Sequence, residues 1–409
     1  MKRLWIIPLI LVILLAACSS DDAPTITPTP EGIIAQIDSP SDQTVIATPR
    51  ALEAFGDWTI ANQQLAPDNI YQMTLIGRAD APEPASTIFS HTFSSDGTRM
   101  AALNNTYVLA WDLITGRLMM NNTRQEAAFV FFSPDKESVF TIDTAGLIRI
   151  FSLERGRETL NYVGHPDFTS EVAYDVNTGI LALGGADGTI KVWDVFERVS
   201  RVTIEAHQGE ITHLQFTPDM QHLITTGTDK NVIVWDWATR ERVATILPAD
   251  SVLDMAVSPT GDQIAIATRD VITVWRLPEG EFLYTLQVGE GGADSVLEYS
   301  PDGRYLINGG RAMDMNVWTA ASGDLVALLP GVTGTNISAA FAPNSNLLLT
   351  AVLDEDVSLW NLDMIADQAL PRARLTPGGD RTLAVDWSPD SFLMLFIDAT
   401  GPIYLWGVE

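Results

Sequence analysis

Short runs in which apolar and polar positions alternate recur along most of the chain, and each run stops at a turn marker. The residues two and four before the marker's Pro position are apolar: Val130 and Phe132, Leu214 and Phe216, Met255 and Val257, Leu297 and Tyr299, Val385 and Trp387. A period of two is that of a strand with one face buried. After the marker comes a more continuously apolar run, such as YLING, IAIAT, LLLTAV or FLMLFI. Such a run predicts a strand covered on both faces by neighbouring sheets. A third run ends in an aromatic residue, and a fourth follows, as in RVTIEAH, EFLYTLQVG or DLVALLPG. The pattern predicts an all-β chain with four strands per repeat.

The aromatic residues that end the third run are Trp111, Phe151, Trp193, Trp235, Trp275, Trp318, Trp360 and Trp406, at intervals of 40, 42, 42, 40, 43, 42 and 46 residues. The turn markers keep step: FSSDG, FSPDK, FTPDM, VSPTG, YSPDG, FAPNS and WSPDS, with YDVNTG as an eroded member. Pro218 to Trp235, Pro301 to Trp318, Pro343 to Trp360 and Pro389 to Trp406 are all 17 residues apart. Pro fixes φ, and Asp, Asn and Gly tolerate turn conformations, so each marker is a hairpin between two strands. A period of about 40 to 45 residues is that of a four-stranded propeller blade. Two third runs read KVWD (Lys191 to Asp194) and IVWD (Ile233 to Asp236). With these residues the chain resembles the WD40 repeat family.

Eight aromatic markers predict an eight-bladed WD40-like β-propeller. The chain ends three residues after Trp406, which leaves the last blade short of an outer strand, while NIYQMTLIG (Asn69 to Gly77) stands unpaired before the first blade. The N-terminal strand is therefore expected to complete the last blade, a closure that removes exposed sheet edges. The second blade is the weakest, because IRIFSLE (Ile148 to Glu154) lacks both Trp and Asp.

The first residues differ in kind. Lys2 and Arg3 precede an unbroken apolar run from Leu4 to Ala17, which reads as a signal peptide over residues 1–17. The run ends in Leu15, Ala16, Ala17 and Cys18 and resembles the lipobox of bacterial lipoproteins, which implies acylation of Cys18. Cys18 is the single cysteine of the chain. Residues 18–57 are rich in Pro, Thr, Ser and Asp, a composition that cannot bury enough apolar surface to fold and reads as a linker. Residues 58–409 form the expected propeller. Removal of the leader leaves 22 basic against 52 acidic residues. Nucleic acid and anionic membrane surfaces are thereby disfavoured as partners, and contact with a membrane is expected through the lipid alone.

Candidate chemistry is sparse. The WD40 resemblance implies a network joining a His before the first strand, an Asp in the turn before the third and the Trp that ends it. His165, Asp187 and Trp193 are in phase for this, as are His207, Asp229 and Trp235, but Gly185 and Gly227 stand where a hydroxyl is expected. These residues are expected to tie strands together rather than to catalyse. The five histidines (His91, His165, His207, His213, His222) show no zinc-type spacing, and the acidic stretch Leu353 to Asp356 lacks the calcium-loop pattern. The glycine-rich GGADG and GEGGAD segments fall in propeller hairpins and not between a strand and a helix, so no phosphate site, cofactor or metal is expected. One set invites a sharper expectation. Glu171, His213, Asp254, Glu298 and Asp386 lie on the less apolar side of first strands and could converge at the channel mouth as an acidic site; inter-blade hydrogen bonding is the plainer role for them.

The resemblance implies a monomeric interaction scaffold, anchored outside the cytoplasm in the cell envelope, that binds a protein or peptide through its loops and not an enzyme. A ligand-binding or redox propeller with an acidic channel site is the second reading, and an envelope-assembly lipoprotein the third.

Overall fold

The computed structural model describes residues 61, 63–66, 69, 72–80, 87–124, 126–288, 296–310, 313–332, 337–353, 356–365, 371–375 and 381–408, together with the strand Val45–Ala47. Residues 1–44, and with them the leader and Cys18, lie outside the described residues, as does the GEGGAD segment. Within the stretch read as linker, Val45–Ala47 pairs in parallel with Ala373–Leu375.

The chain forms eight consecutive sheets, here blades 1 to 8. Their inner strands are Ile88–Phe93, Ala127–Phe132, Thr169–Asp175, Ile211–Phe216, Asp254–Val257, Val296–Tyr299, Ile337–Phe341 and Thr382–Trp387. Each blade runs antiparallel from inner to outer strand, so the first and third turns of a blade lie on one face of the disc. The second turn and the crossing to the next blade lie on the other. These are called the turn face and the loop face below.

As expected, blade 8 takes its outer strand from the N-terminal side: Met73–Ala79 pairs antiparallel with Ile403–Val408, placing Leu75 opposite Trp406. The borrowed strand also reproduces a local feature of the repeat. In blades 1 to 6 the outer strand carries one extra residue beside the aromatic marker, and here Ile76 is that residue. Such a bulge sharpens the strand's twist.

The aromatic markers explain why the period persists: each fills the gap to the preceding blade. Trp235 joins the core cluster of blade 3, Trp318 that of blade 5, Trp360 that of blade 6 and Trp406 that of blade 7. Phe151 does the same against blade 1 and is buried, so blade 2 keeps the packing role without the indole. Trp111 packs on Leu395, Ile403 and Leu405 of blade 8 and closes the ring. Large flat side chains suit this gap because they bury much apolar area with few rotatable bonds.

The turn markers do two things. Within a turn, the Ser or Thr hydroxyl binds the Asp carboxylate and accepts the backbone N–H that starts the second strand, as in Ser94 with Asp96 and Arg99 or Thr217 with Asp219 and His222. Between blades, a turn glycine at positive φ sits against the preceding turn. A methyl group on Gly261 would stand 3.3 Å from Pro218 Cδ, and one on Gly303 3.4 Å from Pro259 Cγ. Among the described residues no helix is long and apolar enough to cross a membrane.

Candidate interaction face

The loop face is organised around blades 3 and 4. In blade 4, His207 sits in the crossing that precedes the inner strand, and its side chain is buried. Its Nδ1 lies 2.9 Å from Asp229 Oδ1 and its Nε2 2.8 Å from Thr225 Oγ1. Trp235 Nε1 donates to the same hydroxyl at 3.1 Å. A four-member network therefore exists, and its hydroxyl comes from Thr225, two residues before the expected position. Gly227 has another task, since a Cβ there would stand 2.8 Å from His207 Cγ, so the glycine makes room for the ring. Burial raises the Asp229 pKa, but the N–H groups of Asn231 and Gln208 and the His207 ring outweigh it and hold the carboxyl below its ordinary value.

Blade 3 builds a different network from the same signature. Leu183 stands where blade 4 has Thr225, so Trp193 Nε1 donates instead to the carbonyl of Gly164 at 2.8 Å. His165 Nε2 lies 3.0 Å from Thr189 Oγ1, which donates to Asp187 Oδ1 at 2.7 Å. His165 thus reaches Asp187 through a hydroxyl. Burial pulls the His165 pKa down, partly opposed by Asp187. Gly185 again makes room, because a Cβ there would stand 2.4 Å from His165 Cε1.

Blades 6 and 7 satisfy the indole with the polar residue that stands ten positions before it. Trp360 Nε1 donates to Thr350 Oγ1 at 2.8 Å and Trp318 Nε1 to Asn308 Oδ1 at 2.6 Å. Blade 5 has Ala265 there, and Trp275 donates to Thr273 on its own strand at 2.9 Å. Thr225, Thr350 and Asn308 were not singled out in the sequence, although the fixed offset of ten residues from the Trp was available to find them.

The five first-strand residues fall at two heights. Glu171, His213 and Asp254 lie three residues before the turn-proximal end of the strand alternation, and Glu298 and Asp386 one before it, a difference of about 7 Å along a strand. The structure gives several of them local partners. His213 Nδ1 lies 2.9 Å from Thr226 Oγ1, and Asp254 Oδ1 accepts the backbone N–H of Met255 at 2.8 Å. Asp386 Oδ2 lies 3.4 Å from His91 Nε2 on blade 1. Among the described residues no three His, Cys, Asp or Glu side chains are grouped so as to hold a metal ion.

Comparison with known proteins adds the family signature. The model of the WD domain, G-beta repeat, matches residues 156–194 and 198–236, which run from the outer strand of one blade through the third strand of the next, in blades 2–3 and 3–4. The chain carries WD40 repeats. Its eight-bladed WD40 propeller is similar in sequence to transducin beta-like protein 3 of Rattus norvegicus, 26% identical over 287 residues that are 66% of this chain and 35% of that protein. Protein tipD of Dictyostelium discoideum is 25% identical over 67% of this chain and 47% of its own length. An uncharacterized WD repeat-containing protein of Synechocystis is 30% identical over 154 residues, 37% of this chain and 44% of that one. The chain thus spans less than half the length of these relatives. Among solved structures, the computationally designed Ika8 protein shares the fold, with a TM-score of 0.65 at 19% identity over 81% of this chain and 99% of that one.

Proposed function

We propose that the WD40 propeller is an interaction scaffold that binds a protein or peptide through its loops, held outside the cytoplasm by a lipid on Cys18. The observation that carries this is the fixing of the blade 3 and blade 4 crossings by buried His networks. Loops anchored in this way present their outward side chains in one arrangement, which lowers the ordering cost of binding. The curated relatives are WD-repeat proteins or similar to them, and WD40 propellers commonly bind protein partners. The lipobox-like Leu15 to Cys18 and the apolar run before it support the anchored, extracytoplasmic placement.

The test is a crosslinking pull-down of the full chain from its native host beside a Cys18→Ala version. Enrichment of one defined envelope protein by the anchored form alone is the expected result. Loss of membrane association without Cys18, together with no specific capture by either form, would overturn the scaffold.

A further inference from the structure

We propose that the loop face over blades 3 and 4 is a docking groove for an extended partner segment in which basic and apolar residues alternate. This deepens the scaffold reading and rests on it. Three crossings run side by side from rim to channel mouth: Val163 to Phe168, Glu205 to Glu210, and Leu247 to Leu253. Their rim ends, Val163, Glu205 and Leu247, are spaced by 42 residues. Their mouth ends, Phe168, Glu210 and Leu253, each directly precede an inner strand.

The two outer crossings are apolar at both ends and exposed there, with Val163, Phe168, Leu247 and Leu253 at 57%, 48%, 71% and 42%. The middle crossing carries a carboxylate at each end instead. The result is an acidic strip between two apolar ridges. The other exposed large apolar side chains among the described residues lie in turns of the turn face, Ile114, Phe196 and Met364 in blades 1, 3 and 7, or on outer strands, as Val199 beside Phe196, Val243, Phe282, Leu325 and Leu328.

The backbone under this surface is held. Gly164 and His165 donate to Gly146 O, and Ala206 and His207 donate to Gly188 O. At the mouth, the carbonyls of Phe168 and Glu210 accept from Ala186 and Thr228, and Leu253 donates to Ala267 O. The two stretches that match the WD40 repeat model contain the two His networks, so the best-preserved repeats are those that support this surface.

Charge selects the occupant. The three crossings contain Asp167, Glu205, Glu210 and Asp250 and neither Lys nor Arg. Lys230 of the adjoining blade 4 turn pairs with Asp250 at 3.0 Å, so Asp167, Glu205 and Glu210 carry the uncompensated charge, within a chain of net charge −28. An anionic segment is repelled and a basic one is steered in. The apolar ridges then favour basic residues interleaved with apolar ones over a purely basic run.

The test uses the purified full chain and a fluorescein-labelled peptide of alternating leucine and arginine, read by fluorescence anisotropy. The leucine–arginine peptide is expected to bind and to weaken with added salt, and an alternating leucine–glutamate peptide to show no binding. Glu205→Gln with Glu210→Gln is expected to lower affinity at least tenfold, as is Phe168→Ser with Leu253→Ser. Ile114→Ser with Phe196→Ser, on the turn face, is expected to change it less than twofold. Circular dichroism melting of each variant separates a lost surface from a lost fold. Equal binding of the two peptides, or equal losses from substitutions on both faces, would overturn the groove. If the quadruple loop-face variant still captures the partner found in the native host, the groove is wrong and the scaffold reading stands. Absence of both peptide binding and specific capture overturns both.

Discussion

His207 and Asp229 meet at 2.9 Å between the ring Nδ1 and a carboxylate oxygen, with the histidine side chain fully buried and the aspartate partly exposed. The pair joins the crossing into blade 4 to the turn before that blade's third strand, and Gln208 N donates to the same carboxylate at 3.0 Å. Replacing Asp229 by Ala leaves a buried ring nitrogen and two backbone N–H groups without their acceptor. A loss of about 2–4 kcal/mol is expected, measured as a fall in the urea midpoint. Thr225→Val keeps the shape and strands Trp235 Nε1 and His207 Nε2, for a loss of about 1–3 kcal/mol. If both variants unfold at the wild-type midpoint, the network has no stabilising role.

Acid stability follows from the same networks. Asp229 has its carboxyl held below the ordinary value of 3.8, so the unfolded chain binds the proton more readily. Its contribution is present above that pH and is lost as pH falls through the folded value. His165 has its pKa depressed from 6.5, chiefly by burial. Below that pH the unfolded chain takes up a proton that the folded site resists, so stability falls as the solution is acidified. Thermal midpoints measured from pH 7.5 to pH 5 should decline less in His165→Gln than in the wild type. Parallel declines would remove His165 as the cause.

The turn face separates two classes of position with the same backbone. Gly97 and Lys136 occupy equivalent sites in successive turns, at φ of 71° and 63°. A methyl group on Gly97 would stand 2.8 Å from the Asp390 carboxyl. Gly97→Ala is expected to cost about 1–3 kcal/mol. Lys136→Gly should relieve left-handed strain, but it also removes the 2.8 Å contact from its Nζ to Asp96, worth about 0–1 kcal/mol at this exposure. Its stability is therefore expected to match or slightly exceed the wild type. Chemical denaturation of the two variants checks both signs.

Ring closure by Met73–Ala79 can be tested through Ile76. Its side chain is buried in the cluster that joins blades 8 and 1, so Ile76→Ala is expected to cost about 2–5 kcal/mol. A chain beginning after Ala79 would leave Ile403–Val408 as an open edge and is expected to aggregate. A synthetic peptide of residues 73–79 should restore the monomer. Size-exclusion chromatography reads the result, and a monomeric truncated chain would show that the strand is dispensable.

Blade number and closure were legible because one aromatic residue per repeat serves one physical purpose, filling the gap to the preceding blade, and so recurs even where Phe151 replaces Trp. The count of strands left over at each end then gave the borrowed strand. The polar networks were less legible because a hydrogen bond can be met from several positions. Trp235, Trp360 and Trp318 use the residue ten places back, whereas Trp193 and Trp275 use a carbonyl and a same-strand threonine. The docking groove has no motif at all. It depends on the antiparallel order that lays three crossings side by side, and on Glu205 and Glu210 falling between loops that end in apolar residues.

Tyr174 gives a prediction in alkali. Its hydroxyl crosses from blade 3 to donate to Phe132 O in blade 2 at 2.8 Å, and its ring packs on Phe131 and Phe140 at centroid distances of 5.1 and 5.0 Å. Burial, reinforced by Asp175 and Asp135, drives its pKa well above 10.0. The folded phenol therefore keeps its proton while the unfolded phenol loses it above pH 10, so stability is full below that pH and falls as pH rises beyond it. Tyr174→Phe removes the hydrogen bond and should cost about 0.5–1.5 kcal/mol at pH 7. The same change removes the titration, so the gap between variant and wild type should narrow from pH 10 to pH 11. Tyr162, pushed up to about 12 by burial, leaves a residual alkaline slope in both proteins. Urea midpoints at pH 7, 10 and 11 test this, and a gap that stays constant across the three would show that the Tyr174 proton is not linked to folding.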